Sequence, residues 1–318
     1  MKDKKWAFIF PGQGAQYPGM GKDFHDIFPV ARHLFEEADD CLNIPFSRLI
    51  FEGPLEELTL TKNSQIAIYI TSMAVLKTVQ HEFPELIPTV CAGLSLGEYT
   101  ALTASGRTSF RECLEIVRLR ALYMHEACEQ HPGTMQVVLG LEFPQVEEAI
   151  DGLPGVWLAN LNCPGQVVIA GTHEGLCAAA GLLKAKGAKR VLPLDVSGAL
   201  HSGLMRSAQE LLSANIQALP LHPSEIQLVM NVPGDFVKEI DQIKQHLIAQ
   251  VASPVRWEQG IRAITEQGID GCIEMGPGKT LAGMNKRIGV TQPTLSIEKV
   301  ADLKSLSESL EFYATVKR

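Results

Sequence analysis

The apolar residues near the N-terminus form a short continuous run, and helical spacing follows it. Trp6–Phe10 is entirely apolar and is followed by Pro11-Gly12, which predicts a buried strand that ends in a loop. Apolar residues at helical spacing then predict helices at 24–40, 55–60 and 64–81. A second apolar run at 89–92 leads into G-L-S-L-G (93–97), and residues 98–104 are again compatible with a helix. Strands that alternate with helices predict an α/β fold with a parallel sheet.

From about residue 133, the spacing of apolar residues predicts a different order of strands and helices. The pattern there predicts a strand at 134–141, a helix at 143–150, strands at 156–160 and 166–170, a helix at 173–186 and a strand at 190–194. This β-α-β-β-α-β order is typical of a ferredoxin-like unit. We therefore expect residues 132–197 to form a small inserted subdomain, and residues 1–131 with 198–318 to form the larger core. After residue 197 the helix–strand alternation returns and ends with a strand at 271–275. A ligand is expected in the cleft between the two units.

Composition and charge narrow the function classes. The 318 residues include 28 Lys+Arg and 36 Asp+Glu, a net charge of −8, so no cationic surface for nucleic acid or an anionic membrane is expected. The seven cysteines contain no C-x-x-C pair, and the nine histidines contain no H-x-x-x-H or H-E-x-x-H spacing. No metal or cofactor is therefore expected. The apolar run at the start is too short for a signal peptide and no run would span a bilayer, so we expect a cytoplasmic protein.

The segment G-L-S-L-G fits G-x-S-x-G, and its predicted setting places Ser95 on a sharp turn between a strand and a helix. The glycines relieve crowding at such a turn, and the N–H of Leu96 lies at the helix start, where free donors can face a developing oxyanion. Ser95 is therefore a candidate nucleophile. The alternative is a serine in an ordinary strand–helix turn.

A serine hydroxyl needs a base to remove its proton. His201 is the best candidate, because it is predicted to open a helix at 201–216 and to share the face of Leu204, Met205 and Ala208. The alternative is a hydrogen-bonded histidine of the core. No Asp or Glu stands out as a third member of a triad, so a backbone carbonyl could orient the imidazole instead.

Arg120 lies on the apolar side of a predicted helix. Ser109-x-x-Glu112 is a capping box, and the helix that it starts is expected to run to about Ala127. Arg120 falls within the apolar stripe of that helix, whose other members are Cys113, Ile116, Val117, Met124 and Ala127. A buried guanidinium needs a carboxylate partner. Either an internal Asp or Glu supplies it, or the substrate does, in which case the acyl group is a dicarboxylic half-thioester such as malonyl.

Seven segments together resemble the malonyl-CoA:acyl carrier protein transacylase family, in the family's order. They are F-P-G-Q-G-A-Q (10–16), G-L-S-L-G-E-Y-T-A-L (93–102), R-A-L-Y-M (120–124), N-C-P-G-Q-V-V-I-A-G (162–171), S-G-A-L-H-S-G-L-M (197–205), S-P-V-R-W (253–257) and G-P-G-K-T-L (276–281). The resemblance covers nearly the whole chain. It implies an α/β-hydrolase-like core with a ferredoxin-like insert.

The resemblance also implies roles for individual residues. Ser95 would carry the acyl group, His201 would be the base and Arg120 would bind the malonyl carboxylate. The backbone N–H groups of Gln13 and Leu96 would form the oxyanion hole. Supporting positions implied by the same resemblance are Gln250, near which a backbone carbonyl would orient His201, the cleft residue Asn162, and Met124.

Two positions depart from the family pattern. The residue before the nucleophile is Leu94, where the family generally has His, and the residue before the base is Leu200, where the family has Phe or Ser. Both leave the nucleophile, the base and the oxyanion donors in place. They affect the expected acyl selectivity, and the apolar bulk of Leu200 favours malonyl over methylmalonyl.

The resemblance implies malonyl-CoA and acyl carrier protein as partners, and a monomer is expected. An acidic carrier protein would need cations, for which the candidates are Lys186, Lys189, Arg190, Lys279, Lys286 and Arg287. Three alternatives remain at this point: an acyl hydrolase on the same scaffold, an acyltransferase that loads a polyketide synthase, and a non-catalytic module that binds the carrier.

Overall fold

The computed structural model describes residues 4–315, so the two ends of the predicted core at residues 1–3 and 316–318 lie outside the described residues. The strands are β1 (Trp6–Phe10), β2 (Pro88–Gly93), β3 (Thr134–Leu139), β4 (Val156–Cys163), β5 (Gln166–Gly171), β6 (Arg190–Pro193), β7 (Gln227–Met230), β8 (Asp235–Phe236), β9 (Gly271–Met275) and β10 (Thr294–Ile297). The helices of the first half are α1 (Lys22–Ile27), α2 (Pro29–Leu42), α3 (Phe46–Glu52), α4 (Leu55–Thr59), α5 (Thr61–Glu82), α6 (Gly97–Ala104) and α7 (Phe110–Gln130). Those of the second half are α8 (Phe143–Ile150), α9 (His173–Ala185), α10 (Arg206–Ala218), α11 (Ile240–Gln250), α12 (Trp257–Glu266), α13 (Thr280–Ile288) and α14 (Asp302–Thr315).

The larger of two sheets has six strands in the order β10-β9-β1-β2-β7-β8. Strands β10, β9, β1, β2 and β7 pair in parallel, and β8 adds an antiparallel edge. In β1, Phe8 and Phe10 pack into one hydrophobic cluster while Ala7 and Ile9 pack into another on the opposite face. Helices therefore cover both faces of this sheet, as the continuous apolar runs of β1 and β2 require. The predicted α/β fold with a parallel sheet is confirmed.

The smaller sheet has four antiparallel strands in the order β4-β5-β3-β6. Numbered within the unit, that order is 2-3-1-4, the arrangement of a ferredoxin-like sheet, and the two helices α8 and α9 follow the predicted chain order. One face of the sheet packs on these helices through a separate apolar cluster that includes Val138, Ile169 and Leu183. The predicted β-α-β-β-α-β order is confirmed, and the division into units at residues 132 and 197 stays a prediction.

Two predicted helices differ from the structure. The helix expected at 24–40 is two helices, α1 and α2, because Phe28 is extended and Pro29 starts a new helix at its first position. The helix expected to open at His201 begins later, with a 3₁₀ turn at Gly203–Met205 and then α10. His201 itself has a φ of 58°, which is left-handed backbone and incompatible with a helical position.

Helix α7 begins as the sequence predicts. The Ser109 side chain accepts from the backbone N–H of Glu112, and the Glu112 carboxylate accepts from the N–H of Ser109. This capping box fixes the start of the helix, and therefore the direction in which its apolar stripe points. The stripe carries Arg120 into the interior, where the side chain is 1% exposed. None of the helices within residues 4–315 is long and apolar enough to cross a membrane.

Candidate active site

Ser95 lies on a tight turn between β2 and α6. It has a φ of 52°, which a non-glycine residue adopts only where the surroundings impose it. A Cβ on Gly93 would lie 1.9 Å from the backbone carbon of Gly97, and a Cβ on Gly97 would lie 2.1 Å from the oxygen of Phe10. Only glycine fits at these two positions, because backbone atoms occupy the space of a side chain. The turn therefore has the geometry of a nucleophile elbow.

Asn231, which follows β7, holds the elbow in this conformation. Its Oδ1 accepts a hydrogen bond from the N–H of Ser95 at 2.7 Å, and its Nδ2 donates to the oxygen of Gly93 at 2.7 Å. One side chain thereby satisfies a donor and an acceptor of the strained turn, which would otherwise be costly to bury. No local pattern pointed to Asn231, because it is 136 residues away from Ser95.

Ser95 and His201 form a hydrogen-bonded pair. Ser95 Oγ lies 2.7 Å from His201 Nε2, and His201 Nδ1 lies 2.8 Å from the backbone oxygen of Gln250. A carbonyl can only accept, so Nδ1 carries a proton and Nε2 is the free base that faces the serine. Burial, followed by the nearby charge of Arg120, lowers the pKa of His201 to about 4. The imidazole is therefore neutral at pH 7 and able to take the hydroxyl proton.

Arg120 reaches the same serine from α7. Its Nη2 lies 3.1 Å from Ser95 Oγ and donates to Gln250 Oε1 at 2.8 Å, while Nη1 donates to Gln65 Oε1. The guanidinium also lies over the ring of Tyr99, 5.3 Å from the centroid. Among the described side chains, no carboxylate forms an ion pair with Arg120, and its Nε has no hydrogen-bond partner. Within residues 4–315, Arg120 therefore forms no direct internal salt bridge, which was one of the two possibilities that the sequence left open.

Gln250 joins these groups. Its backbone oxygen accepts from His201, and its side-chain oxygen accepts from Arg120. Its Nε2 donates to the backbone oxygen of Ser95 and to Glu98 Oε2, each at 2.8 Å. Both ends of the amide are therefore satisfied in a single orientation. A role for the Gln250 side chain was not predicted, because the sequence indicated only a backbone carbonyl near this position.

The two expected oxyanion donors lie on different segments, Gln13 on the loop after β1 and Leu96 within the elbow itself. Gln13 follows β1 and lines the cleft, and its side chain donates to Thr61 Oγ1 at 3.3 Å, which fixes the loop. Leu96 is fully buried and is the cap of α6. No acceptor within residues 4–315 forms a hydrogen bond with the backbone N–H of Gln13 or of Leu96. Both donors are thus available to a ligand.

A cleft opens in front of Ser95 and His201. Its lining includes Leu94, Leu200 and Asn162, and the Asn162 Oδ1 is buried with no hydrogen-bond partner in the described part of the chain. Met124 does not line the cleft. Its sulfur lies 3.6 Å from Gln65 Nε2, so Met124 contacts one of the amides that hold Arg120.

Three residues that the sequence did not indicate hold the elbow, Arg120 and Gln250 in place. Gln65, Asn231 and Glu98 carry no motif of their own, although Glu98 directly follows the second elbow glycine. Within residues 4–315, no group of His, Cys, Asp and Glu side chains is arranged to hold a metal ion.

Comparison with known proteins assigns the family. The sequence model of the acyl transferase domain family matches residues 7–305. The malonyl CoA-acyl carrier protein transacylase of Bacillus subtilis is 41% identical over 311 residues, which cover 96% of this chain and 98% of the relative. The corresponding protein of Escherichia coli K12 is 35% identical, with coverage of 96% and 99%.

Solved structures of transacylases have the same fold as this chain. The crystal structure of malonyl CoA-acyl carrier protein transacylase from Clostridium perfringens has a TM-score of 0.93 at 35% identity and covers 99% of this chain and 100% of its own. A malonyl-transacylase solved in complex with a type II polyketide-synthase acyl-carrier protein has a TM-score of 0.92 at 36% identity, with coverage of 96% and 99%. The chain therefore belongs to the acyl transferase domain family, and within it to the malonyl CoA-acyl carrier protein transacylases.

Proposed function

We propose that this protein moves a malonyl group from malonyl-CoA to the phosphopantetheine thiol of acyl carrier protein, and so supplies fatty acid synthesis. The observation that carries the substrate choice is the position of Arg120. Its guanidinium is buried without an ion-pair partner among the described side chains, and its Nη2 lies 3.1 Å from the nucleophile Ser95 Oγ. A buried cation in that position is completed by a substrate carboxylate.

The acylation step follows from the geometry of the pair. His201 Nε2 takes the proton of Ser95 Oγ, and the oxygen attacks the thioester carbon. The N–H groups of Gln13 and Leu96 hold the negative charge that develops on the thioester oxygen. The imidazolium then gives its proton to the sulfur of CoA, which leaves as a thiol. The backbone oxygen of Gln250 holds His201 in the orientation that both proton transfers need.

The second half of the reaction reverses the first. His201 takes the proton of the carrier's phosphopantetheine thiol, whose sulfur attacks the malonyl-Ser95 ester. The oxyanion forms at the same place, and the proton returns to Ser95 Oγ as the ester bond breaks. The donor malonyl-CoA and the acceptor carrier protein therefore use one site in turn, which is ping-pong transfer.

The short distance between arginine and serine also favours a short acyl chain. A malonyl ester has one methylene between its two carboxyl carbons, so its free carboxylate stays near Ser95 Oγ, where Arg120 Nη2 lies at 3.1 Å. A longer diacid would have to fold back or displace the guanidinium. Leu94 and Leu200 line the cleft with apolar surface. A carboxylate placed beside them, away from Arg120, would have no charged or polar partner in these two side chains.

The carrier protein is proposed to approach the mouth of the cleft. Arg287 donates to Gln166, a residue of the cleft lining, at 2.6 Å, which places one of the candidate cations beside the opening. Lys186 and Lys279 are paired with Glu148 and Asp302. We propose that Arg287 contributes most directly to the contact with an acidic carrier, and that the protein acts as a monomer. Its cysteines are free thiols, which suits the cytoplasm as its place of action.

Intact-mass measurement of the purified protein after addition of malonyl-CoA tests the proposal. We expect an adduct of malonyl mass that disappears when holo acyl carrier protein is added, with malonyl-carrier formed in equal amount. Acetyl-CoA, methylmalonyl-CoA and succinyl-CoA serve as matched substrates and should load less.

Two rival functions give different results. Free malonate without malonyl-carrier would indicate an acyl hydrolase on the same scaffold. No adduct from any thioester would indicate a binding module without catalysis. Either result would overturn the proposed transfer.

A further inference from the structure

A buried carboxyl group is linked to Arg120 through the side chain of Gln250. Glu98 stands in the first turn of α6 and is fully buried. Its Oε1 accepts from the backbone N–H of Asn231, and its Oε2 accepts from Gln250 Nε2 at 2.8 Å. The other end of the Gln250 amide accepts from Arg120 Nη2 at 2.8 Å. Glu98, the amide of Gln250 and the guanidinium therefore form a continuous line of hydrogen bonds.

The charges around Glu98 are few. Arg120, on α7, is the cation that acts on it, while Gln250 on α11 and Asn231 after β7 are neutral. The other titratable groups beside Arg120 are Tyr99 and His201. Burial raises the pKa of Tyr99 and lowers that of His201 to about 4, so both are neutral near pH 7. Within the described residues, the charge of this region above neutral pH is therefore set by Arg120 and by the ionised fraction of Glu98.

We propose that Glu98 takes up a proton when the substrate carboxylate binds to Arg120. This inference rests on the proposed function. Before loading, one cation faces one carboxyl group; after loading, the same cation faces two. Two carboxylates that share a buried cation repel each other, and the usual relief is protonation of one of them. The substrate carboxylate contacts the guanidinium directly, whereas Glu98 acts through Gln250, so Glu98 is the one that becomes neutral.

The free protein is suited to this exchange. Burial raises the pKa of Glu98 to about 8, against the opposing effects of the Asn231 N–H, Arg120 and Gln250. Its proton is thus held weakly enough to be absent in part of the molecules above neutral pH. A second negative charge raises the pKa further. Glu98 is a positioning residue in this scheme, since it acts on the substrate through Gln250 and Arg120.

The sign of the pH effect follows from proton linkage. The malonyl-loaded protein binds more protons than the free protein, so loading is favoured at low pH and weakens as the pH rises through the pKa of free Glu98. An acetyl group brings no second carboxylate and should show no such dependence. The ratio of the two loading equilibria removes effects that both substrates share, including ionisation of the CoA thiol.

The experiment measures the equilibrium loading of the full chain by malonyl-CoA and by acetyl-CoA between pH 7 and pH 9, with intact mass as the readout. We expect the malonyl-to-acetyl ratio of loading constants to fall by roughly fivefold to tenfold over this range, as linkage predicts for a group with a pKa of about 8 in the free protein. A ratio independent of pH would overturn the inference. If malonyl-CoA gave no adduct at all, the proposed function itself would fail, so the two failures are distinct.

Two variants at this position sharpen the test. Glu98→Gln has no proton to gain, and its malonyl-to-acetyl ratio should be flat with pH, whereas Glu98→Asp keeps a titrating carboxyl and should retain the slope. A Glu98→Gln variant that loads both acyl groups and keeps the wild-type slope would exclude Glu98 as the group that takes up the proton. If Glu98→Gln does not fold, proton uptake by the wild-type protein in weakly buffered solution at pH 8.5 decides. Malonyl loading must then consume more protons than acetyl loading, and equal uptake would contradict the inference.

Discussion

The two sheets face the same cleft and contribute different things to it. The larger sheet is covered on both faces and delivers its functional residues from the carboxyl ends of β1 and β2, where Gln13 and Ser95 lie. The smaller sheet has one face on helices α8 and α9 and turns the other towards the cleft. Its lining residues alternate along the strands: Met135 and Val137 on β3, Asn160 and Asn162 on β4, Gln166 and Val168 on β5.

The difference lies in how much each side chain is constrained. Around Ser95, the polar contacts are made by buried polar side chains. Substitution of one of these side chains therefore leaves its partner atom without a hydrogen bond in the interior. On the cleft face of the smaller sheet, half of these lining residues are apolar, and Asn162 Oδ1 has no partner among the described residues. The larger sheet should therefore control whether transfer occurs, and the smaller sheet how well substrates fit.

The largest effect is expected at the nucleophile. Ser95→Ala removes the atom proposed to carry the acyl group, and malonyl transfer should fall by about a thousandfold or more. The fold should survive, because the Asn231 contacts are made to the backbone of residues 93 and 95. Intact mass and transfer assays check this, with thermal melting as the control. A variant that still formed a malonyl adduct would show that another residue carries the group.

Arg120→Ala should separate the substrates. Loss of a buried charge-assisted pair costs about 3 kcal/mol, so kcat/KM for malonyl should fall by roughly a hundredfold. Acetyl transfer should fall much less. The control is Arg118→Ala, since Arg118 lies on the same helix and pairs with Glu115 at the surface. Equal losses for malonyl and acetyl would contradict the substrate-binding role of Arg120.

The pH profile tests the base. The pKa of His201 is lowered to about 4, and the neutral form is the one that accepts the Ser95 proton. The rate of acylation by acetyl-CoA should therefore be flat from pH 6 to pH 7 and should fall towards tenfold per pH unit only below about pH 4. Rapid-quench acylation at each pH measures this. An acid limb centred near pH 6.5 would mean that burial and Arg120 do not act on His201 as described.

The smallest effect is expected on the smaller sheet. Asn162→Ala removes a buried cleft amide that contacts no described side chain through its oxygen, and KM should rise by about threefold while kcat changes little. Steady-state kinetics with malonyl-CoA and the carrier varied in turn would show which substrate is affected. A hundredfold loss of kcat would place Asn162 with the residues of the larger sheet and would break the proposed division of roles.

The local sequence was sufficient to predict those parts of the site that residues close together in the chain form. The glycines at 93 and 97 predicted the elbow, and the structure shows that any Cβ there would collide with backbone. The Ser109 capping box and the apolar stripe of α7 predicted that Arg120 points inwards, where it is 1% exposed. Leu94 and Leu200 were predicted to affect acyl selectivity, and both line the cleft, although their effect stays a prediction.

Where a contact joins distant segments, the sequence left alternatives open. Periodicity placed His201 on a helix, yet it lies on left-handed backbone before the 3₁₀ turn, with Nε2 2.7 Å from Ser95 Oγ. Asn231, Gln65 and the side chain of Gln250 were missed, since their partners are between 55 and 155 residues away.

The sequence by itself determined the alternation of strands and helices, the strained turn at Ser95, the start of α7 and the inward side of Arg120, because each depends on sterics or spacing within a few residues. The tertiary structure decided that the histidine meets the serine, that a backbone carbonyl orients the histidine, and that the arginine finds amides rather than a carboxylate. Those outcomes depend on strand order and on loop closure across 49 to 130 residues, which no local pattern encodes.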